Sequence, residues 1–327
     1  MNRRQAAFLI AKLAFAIAVF AWLSRKVDTS RVWGVLREAQ RAPVILGIAL
    51  FLLTVVIAAW RWHRLLAIVG ISIPLRSLFC IVQIGQFFAV FLPGPTGDDL
   101  TRMLYISRLA KGRIGEACTT VLIDRLIGLA SVLALALVCI PWHWHLLATS
   151  RQTYWIAVGI LGAGGAVLVF GTIFFVSGHP TERWFHRCLG RLPAHNLRDE
   201  VTRIWGLLCA NKRSVGKIVG AAVTTQLLAC MFFFLAGLAV GIRAPFHVWL
   251  GFVPIVLAAN AVPITVAGLG VREYLLVLFL GVLGRVEGER ALAASIVVLS
   301  MTLAICLIGG ILYLFYRPRG DAAHSDD

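Results

Sequence analysis

Charged residues inside apolar sequence are the positions of this chain where chemistry is expected. Asp124 and Arg125 lie eight and nine residues into the apolar run 116–140. A helical rise of ~1.5 Å per residue would place them roughly 12–14 Å from the start of that run. An ionised side chain at such a depth in a membrane is costly and usually functional. Because guanidinium groups bind phosphate with two hydrogen bonds, the pair indicates an anion site or, alternatively, a buried ion-pair network.

A first segment broken by proline and glycine, residues 91–99, carries further charges. It ends in Asp98 and Asp99, and Arg102 follows within one helical turn. Neighbouring residues of a helix point in different directions, so the acid and the arginine of the 116–140 run need partners from elsewhere in the chain. We expect the first broken segment to supply them.

A second broken segment, residues 262–273, ends in Arg272 and Glu273. Helices that begin after the two breaks would direct their N-termini, which attract anions, into a shared cavity. Asp98 and Glu273 would then orient or release the arginines, or, in the simpler alternative, only cap these helices. The predicted substrate-binding residues are Arg102, Arg125, Arg272, Asp98, Asp99, Asp124 and Glu273.

The backbone of the two broken segments is expected to line a cavity. Proline removes a hydrogen-bond donor and ends a helix, and glycine adopts conformations that other residues avoid. Non-helical backbone at membrane depth is tolerated only where protein or a water-filled cavity covers it. Paired breaks at matching positions in two halves are typical of transporter binding sites. The predicted cavity positions are Pro93, Gly94, Gly97, Pro263, Gly268 and Gly270.

The elements that hold these residues are predicted to be membrane helices. Of the 327 residues, 60% are hydrophobic and 14% are charged, with a mean hydropathy of +0.87. Soluble domains carry about 25% charged residues, so this composition excludes a soluble protein. Six apolar runs approach or exceed the ~17–25 residues that cross a bilayer. They are 6–23, 44–60, 116–140, 154–177, 216–240 and 291–316.

The predicted fold is an all-α integral membrane protein of about six full transmembrane helices and two re-entrant or broken helical hairpins. The hairpins would form an inverted repeat within a single domain, 1–327, with half-repeats at about 44–140 and 216–316. The positive-inside rule does not distinguish whether 77–93 crosses the membrane or re-enters. We favour re-entry because this run is short and carries Gln83 midway along it.

The net charge of +16 is expected to contact anionic lipid at the cytoplasmic face. No nucleic-acid motif accompanies it.

The basic loop 178–217 predicts a cytoplasmic amphipathic helix on the membrane surface. Its apolar positions are Leu197, Val201, Ile204, Trp205 and Leu208. Both termini are predicted to be cytoplasmic, in the multi-pass architecture of a bacterial cytoplasmic (inner) membrane protein.

Other chemical signals in the sequence are weak. None of the seven cysteines forms a C-x-x-C pair. The segments 142–145 and 60–64 combine tryptophan with histidine, and we interpret both as aromatic belts at the membrane interface. We find no P-loop, nucleophile elbow or H-E-x-x-H motif. No cofactor and no metal are expected, and the protein is not expected to be an enzyme.

Taken together, four motifs resemble the lysylphosphatidylglycerol synthase transmembrane family, the flippase-like domain. The motifs are Arg61-Trp62-His63-Arg64-Leu65-Leu66, the segment from Pro93 to Arg102, the pair Asp124-Arg125, and the segment from Pro263 to Glu273. Asp98 and Asp124 stand where glutamate is usual, which shortens the reach of the carboxylate and keeps its charge. The resemblance covers nearly the whole chain.

The resemblance implies a flippase-like fold without the aminoacyl-transferase domain. Relatives are linked to moving anionic or aminoacylated phospholipids, hopanoids or polyprenyl-linked sugars. We therefore expect a lipid translocator whose substrate is a phospholipid or a polyprenyl (isoprenoid) lipid. Two alternatives stay open: an enzyme acting on lipid-linked sugars or headgroups, and a non-transporting partner of a lipid-modifying enzyme. Homo-oligomerisation is also left open.

Overall fold

The computed structural model describes residues 29–91, 96–110, 112–148, 150–176, 195–261 and 271–316, and these ranges contain helices and no strands. This confirms the all-α membrane fold. The helices are α1 (Thr29–Arg37), α2 (Arg41–Ile68), α3 (Leu75–Phe91), α4 (Thr96–Leu109), α5 (Ile114–Trp142), α6 (Trp144–Leu147), α7 (Arg151–Val176), α8 (His195–Ala210), α9 (Lys212–Ala239), α10 (Phe246–Ala261), α11 (Val271–Gly284) and α12 (Gly288–Phe315). The predicted first span, 6–23, lies outside the described residues.

Five of the described helices are long and apolar enough to cross a membrane: α2, α5, α7, α9 and α12. Four of them have 28 or 29 residues, which at ~1.5 Å per residue gives about 42 Å. Such a length exceeds the ~30 Å hydrocarbon core of a bilayer. A helix suits these sequences because it satisfies every backbone polar group within the segment, where lipid offers no partners. The chain is therefore a multi-pass integral membrane protein.

Two pairs of shorter helices separate the long ones. α3 and α4 have 17 and 14 residues, and α10 and α11 have 16 and 14. At ~1.5 Å per residue these helices are about 21–26 Å long, less than the core of a bilayer. The order long, short, short, long thus occurs twice, in α2–α5 and in α9–α12, at the positions where the sequence predicts the half-repeats.

Hydrogen bonds between helix ends define the directions of these elements. The N–H of Gln40, just before α2, donates to the carbonyl of Ala239 at the end of α9, at 2.8 Å. The guanidinium of Arg113, just before α5, donates to the carbonyl of Gly70, just after α2, at 3.0 Å. The first contact marks one end of the bundle, the Ala239 end, and the second marks the other, the Arg113 end. α2 and α9 are consequently antiparallel.

Each pair of short helices begins and ends at the same end of the bundle. α3 begins five residues after Gly70 and α4 ends four residues before Arg113, so both lie at the Arg113 end. α10 begins and α11 ends at the Ala239 end, where Gly284 lies against Ala244. The loops that join the helices of each pair, which contain Pro93 and Pro263, lie outside the described residues.

Two large apolar clusters hold most of the bundle together. One surrounds α9–α12, where the rings of Phe252 and Phe279 are stacked with centroids 5.8 Å apart. The other surrounds α2–α5 and includes the fully buried Trp62. Each short pair is thus packed against the long helices that precede and follow it in the chain. This packing fixes the charged residues of the short helices against those of the long ones.

The amphipathic helix predicted in the loop 178–217 is present as α8. Its residues Ile204 and Leu208 are buried in the α2–α5 cluster, and Arg203 forms an ion pair with Glu116 at the start of α5. The expectation that this face lies on the membrane surface is therefore wrong for Ile204 and Leu208. Their burial against protein removes apolar area from water without any need for lipid.

Candidate functional site

Arg61 of α2 and Asp124 of α5 form a two-point ion pair inside the bundle. Nε of Arg61 donates to Oδ1 at 2.6 Å, and Nη2 donates to Oδ2 at 2.9 Å. The residues are 7% and 2% exposed. Arg61 lies seven residues before the end of α2, or about 10 Å from the Arg113 end of the bundle. Two parallel hydrogen bonds between a guanidinium and a carboxylate are both strong and directional.

Arg102 of α4 joins this pair and extends it. Its Nη1 lies 3.3 Å from Oδ2 of Asp124, while its Nε and Nη2 bind the carboxylate of Asp98 at 2.8 and 2.7 Å. The guanidinium also lies over the ring of Trp62, 5.7 Å from its centroid. Asp124 is therefore shared by two arginines, and Arg102 by two aspartates. Such sharing links α2, α4 and α5 through one charge network.

Arg125 forms a separate ion pair with Asp99 beside this network. Its side chain is 32% exposed, so it is more accessible than Arg61 or Arg102. We call the six residues Arg61, Asp98, Asp99, Arg102, Asp124 and Arg125 the inner cluster. The first broken segment thus supplies Asp99 to Arg125, and Arg102 just after it contacts Asp124, as expected, but the closer partner of Asp124 is Arg61 of α2. Three arginines and three aspartates leave the cluster formally neutral.

Two glycines allow the short helices to approach closely enough to build the inner cluster. A Cβ atom on Gly85 of α3 would overlap the carboxylate of Asp98. One on Gly97 of α4 would lie 2.6 Å from the carbonyl oxygen of Phe88. Gly97, which the sequence predicted to line a cavity, makes a close contact between α3 and α4. The other predicted cavity positions, Pro93, Gly94, Pro263, Gly268 and Gly270, lie outside the described residues.

The sequence interpretation of segment 60–64 as an interfacial belt is wrong for two of its residues. Arg61 is paired with Asp124, and Trp62 is fully buried with its Nε1 donating to Thr120 Oγ1 at 3.1 Å. The segment lies within α2, which continues to Ile68. The signal that could have revealed this is the apolar sequence after Arg61, since Leu65 and Leu66 extend the span beyond the arginine.

Arg272 and Glu273 form a second buried ion pair, in the first turn of α11. Nη2 and Nε of Arg272 lie 2.8 and 3.2 Å from Oε1 of Glu273. Both residues are buried. The structure therefore pairs these two neighbours with each other, in contrast to Asp124 and Arg125, which have partners on other helices.

A cavity of about 270 Å³ lies beside Arg272. Thr54, Thr225 and Thr302, which line it, are near the midpoints of α2, α9 and α12, so the cavity is near mid-depth in the bundle. We call it the central cavity. Its lining residues are Phe51, Thr54, Ala58, Thr225, Gln226, Ala229, Phe232, Phe233, Leu257, Asn260, Arg272, Val298 and Thr302.

Some polar groups of the central cavity have hydrogen-bond partners within the protein, and one has none among the described residues. The hydroxyls of Thr54, Thr225 and Thr302 donate to carbonyls of their own helices at 2.6–2.7 Å. The side-chain oxygen of Asn260, at the end of α10, is buried and has no hydrogen-bond partner among the described residues. An unsatisfied buried acceptor is unfavourable. A donor from a bound molecule or water would satisfy it.

Gly128 of α5 connects the central cavity with the inner cluster. Nε2 of Gln226, in the cavity wall, donates to the carbonyl of Gly128 at 3.3 Å. On the other side, Arg61 Nη2 is 3.9 Å from the position of a Cβ atom on Gly128. Thr54, Ala58 and Arg61 also follow one another on a single face of α2, at spacings of four and three residues. The two sites are therefore neighbours separated by about one helical turn.

A family model described as "Lysylphosphatidylglycerol synthase TM region" matches residues 9–310. The chain belongs to this family. It is also similar to the UPF0104 membrane protein MJ1595 from Methanocaldococcus jannaschii, with 28% identity over 135 residues. That alignment covers 41% of this chain and 39% of the relative, so it spans about two fifths of the relative's length.

The chemistry available in this family member is that of buried arginines and carboxylates. Within the described ranges, no group of three or more His, Cys, Asp or Glu side chains is arranged to hold a metal ion. Among the arginines of the inner cluster and of α11, Arg125 and Arg272 have access to open space, through partial exposure and through the central cavity respectively. Each of these arginines already binds one carboxylate. An incoming anion would therefore have to share the arginine with that carboxylate or displace the carboxylate.

Proposed function

We propose that this protein translocates a lipid by passing its headgroup through the central cavity while the acyl or isoprenoid chains remain in the bilayer. The observation that carries this proposal is the position of the cavity. It lies near the midpoints of three spanning helices and is lined by a buried arginine and several polar side chains. A buried arginine and polar side chains in the wall of a cavity at this depth would lower the cost of moving a charged headgroup across the hydrocarbon core.

In this proposal the short helix pairs are re-entrant hairpins of an inverted repeat. α3–α4 enters from the Arg113 end and α10–α11 from the Ala239 end. The end of α10, at Asn260, and the start of α11, at Arg272, both lie at the central cavity. Helix ends carry unsatisfied backbone groups that need polar partners inside a membrane. Broken helices at mid-depth are typical of substrate sites in transporters with this type of repeat.

The arginines would bind the phosphate of the headgroup, and the carboxylates would control them. Arg272 is the arginine in the cavity wall, and Arg125 is the most exposed one of the inner cluster. A phosphate would share Arg272 with Glu273 and Arg125 with Asp99, because a guanidinium has five donors. While no substrate is bound, Glu273 and Asp99 would neutralise Arg272 and Arg125, so that no unpaired charge is buried inside the membrane.

We further propose that the Arg113 end faces the cytoplasm of a bacterial inner membrane, together with α8, the basic loop 178–217 and both termini. Rocking of one half against the other would open the cavity to each side in turn. The lipid leaves chemically unchanged, so the proposed activity is transport without catalysis.

Reconstitution of the purified protein in liposomes tests this proposal. The liposomes would contain phosphatidylglycerol with a fluorescent headgroup label, and dithionite would quench the label in the outer leaflet. We expect the protein to make inner-leaflet label accessible. Arg272→Gln should slow this by about tenfold or more, because a hydrogen bond to a charged group contributes ~1.5–3 kcal/mol. Arg151→Gln, at an exposed arginine that lines neither the inner cluster nor the central cavity, is the matched control.

The same experiment separates the alternative functions. Chromatography of the recovered lipids would detect a modified headgroup, which an enzyme would produce and a translocator would not. If wild-type protein leaves the inner-leaflet label protected for phosphatidylglycerol and for a polyprenyl phosphate, translocation is rejected. A role as the partner of a lipid-modifying enzyme would then be the better explanation.

A further inference from the structure

A second, larger cavity lies at the Ala239 end of the bundle, where α2 and α12 begin and α9 and α11 end. Its volume is about 910 Å³, within the range of small-molecule sites. Three arginines line it together with one acid, Glu287. Arg243 lies in the α9–α10 connection, Arg285 in the α11–α12 turn and Arg290 in the first turn of α12. We call this cavity the outer cavity.

The arginines of the outer cavity are not neutralised as those of the inner cluster are. Among the described residues, Arg243 and Arg285 have no ion-pair partner. Nε of Arg290 is 3.9 Å from Glu287 Oε2, and the two side chains are 51% and 76% exposed. A distant, exposed pair of this kind is weak. Three arginines and one glutamate leave the cavity with an excess of two positive charges.

The backbone of Arg285 provides independent support. Its φ is +49°, and within the described part of the chain it is the one residue other than glycine with a positive φ. The corresponding position after α9 is Gly241, with φ +77°, and it also lines the outer cavity. Glycine is the residue that usually ends a helix in this conformation, since other side chains are strained there. Arginine in this conformation at a cavity wall is therefore the basis of a hypothesis that its side chain has a function there.

The position and lining of the outer cavity define the ligand. It lies at the ends of spanning helices, which is the depth of lipid headgroups. Its walls include the apolar residues Pro43, Leu238, Val248 and Leu283 as well as the arginines. An excess of arginine beside apolar wall suits a group that is anionic at one end and apolar at the other. Arginine binds phosphate oxygens with paired hydrogen bonds.

We propose that the outer cavity is a separate anion site that binds the phosphate of a lipid headgroup through Arg243, Arg285 and Arg290. The site would hold the headgroup on the Ala239 side of the central cavity, before or after its passage. This inference rests on the proposed function for its place in the transport path. The binding itself does not depend on translocation.

Calorimetric titration of the full-length protein in a non-ionic detergent tests the site. The probes are dihexanoyl phosphatidylglycerol, dihexanoyl phosphatidylcholine and glycerol 3-phosphate, and all proteins carry Arg272→Gln so that the central cavity contributes little. Phosphatidylglycerol should bind, and Arg243→Gln or Arg285→Gly should weaken it about tenfold. Arg151→Gln is the matched control and should bind as before. Glycerol 3-phosphate distinguishes a lipid phosphate from a water-soluble phosphate ester, because a lipid site should bind glycerol 3-phosphate more weakly than phosphatidylglycerol.

Arg285→Gly distinguishes a lost contact from a lost fold. Glycine relieves the positive φ, so the thermal unfolding temperature should stay the same or rise while binding falls. Unchanged affinity in both Arg243→Gln and Arg285→Gly, or an equal loss in Arg151→Gln, would overturn the proposal. Binding without translocation in liposomes would reject the proposed function and leave this site standing. Translocation by the wild-type protein together with unchanged phosphatidylglycerol affinity in Arg243→Gln and Arg285→Gly would reject this site and leave the proposed function standing.

Discussion

Arg61 and Asp124 are 63 residues apart in the chain and share two parallel hydrogen bonds in the interior of the bundle, at 2.6 and 2.9 Å. This contact joins α2 to α5. Since Arg102 also binds Asp124, the same carboxylate fixes the short helix α4 to both long ones. The inner cluster is therefore first a structural device, and the proposed transport would give it a second role through its position beside the central cavity.

Removal of the shared carboxylate should destabilise the protein strongly. Asp124→Leu leaves Arg61 without its buried partner and Arg102 with Asp98 alone. Breaking a buried ion pair in this way costs about 3–5 kcal/mol of unfolding free energy. The folded yield and the thermal unfolding temperature in detergent should fall. The double variant Arg61→Met/Asp124→Leu should recover much of this loss, because an apolar pair needs no charge compensation. A double variant as unstable as the single one would contradict this account.

Gly85 is predicted to be required for the close approach of Asp98. In Gly85→Ala the new Cβ atom would overlap the Asp98 carboxylate and force it away from Arg102. Overpacking of this kind costs about 1–3 kcal/mol, measured as a lower thermal unfolding temperature. Gly162→Ala on α7 is the matched control, since nothing lies within 4 Å of its Cβ position. Equal thermal unfolding temperatures for Gly85→Ala and Gly162→Ala would show that the contact between Gly85 and Asp98 is not tight.

Filling the central cavity should block transport and leave the fold intact. Ala229 lines the cavity, and leucine at this position would occupy part of the 270 Å³ space. We expect translocation in the dithionite assay to fall by about tenfold or more, an effect equal to ~1.4 kcal/mol of added barrier. The monodisperse peak in size-exclusion chromatography should be retained. Ala163→Leu, on an exposed face of α7, should leave the rate unchanged. Normal transport by Ala229→Leu would exclude this cavity as the path.

Substitution of Arg125 separates charge from geometry. Lysine keeps the charge opposite Asp99 and loses the planar guanidinium, whereas glutamine loses both. We therefore expect translocation rates in the order wild type, Arg125→Lys, Arg125→Gln, with about a tenfold range in total. Equal rates for all three would show that the pair with Asp99 is structural. The thermal unfolding temperature of each variant should be measured as well, because a purely structural role of Arg125 would lower that temperature.

The stability of the protein is predicted to depend on pH through His143. This residue, just after α5, is buried and stacked on His247 with centroids 5.8 Å apart, and burial lowers its pKa below the ordinary value of 6.5. Below about pH 6.5 the unfolded chain binds a proton that the folded protein does not. The free energy of unfolding should therefore fall as the pH decreases from 6.5 towards the lowered pKa.

Thermal unfolding of wild type and His143→Gln between pH 5 and 8 checks this dependence. The wild-type unfolding temperature should decrease towards pH 5, and the variant should show a flatter profile. His145 and His247 lie near enough to affect the charge of His143, so each also needs a glutamine variant. Identical pH profiles of wild type and His143→Gln would remove His143 as the cause.

Much of the fold follows from local sequence. The long apolar runs, the short broken ones and the amphipathic segment of α8 are patterns within 10–30 residues. Within the described part of the chain each of them is a helix, and among the long runs the largest difference from the expected bounds is the end of α2, which lies at Ile68 and not at residue 60. The charged residues of the first broken segment were also predicted to meet Asp124 and Arg125. That expectation needed only the cost of a lone charge at depth, which requires some partner nearby.

The identity of the partners was decided by tertiary structure. A cluster of tryptophan, arginine and histidine near the end of an apolar run has the same local pattern whether it faces lipid headgroups or the bundle interior. Only the packing of α2 against α5 shows that Arg61 faces inwards and binds Asp124. Each of the two cavities likewise combines residues from five helices, α2 and α9–α12, which include elements far apart in the chain. Hydropathy and helical period are local properties that a sequence displays directly, whereas a contact between distant residues depends on how whole helices pack.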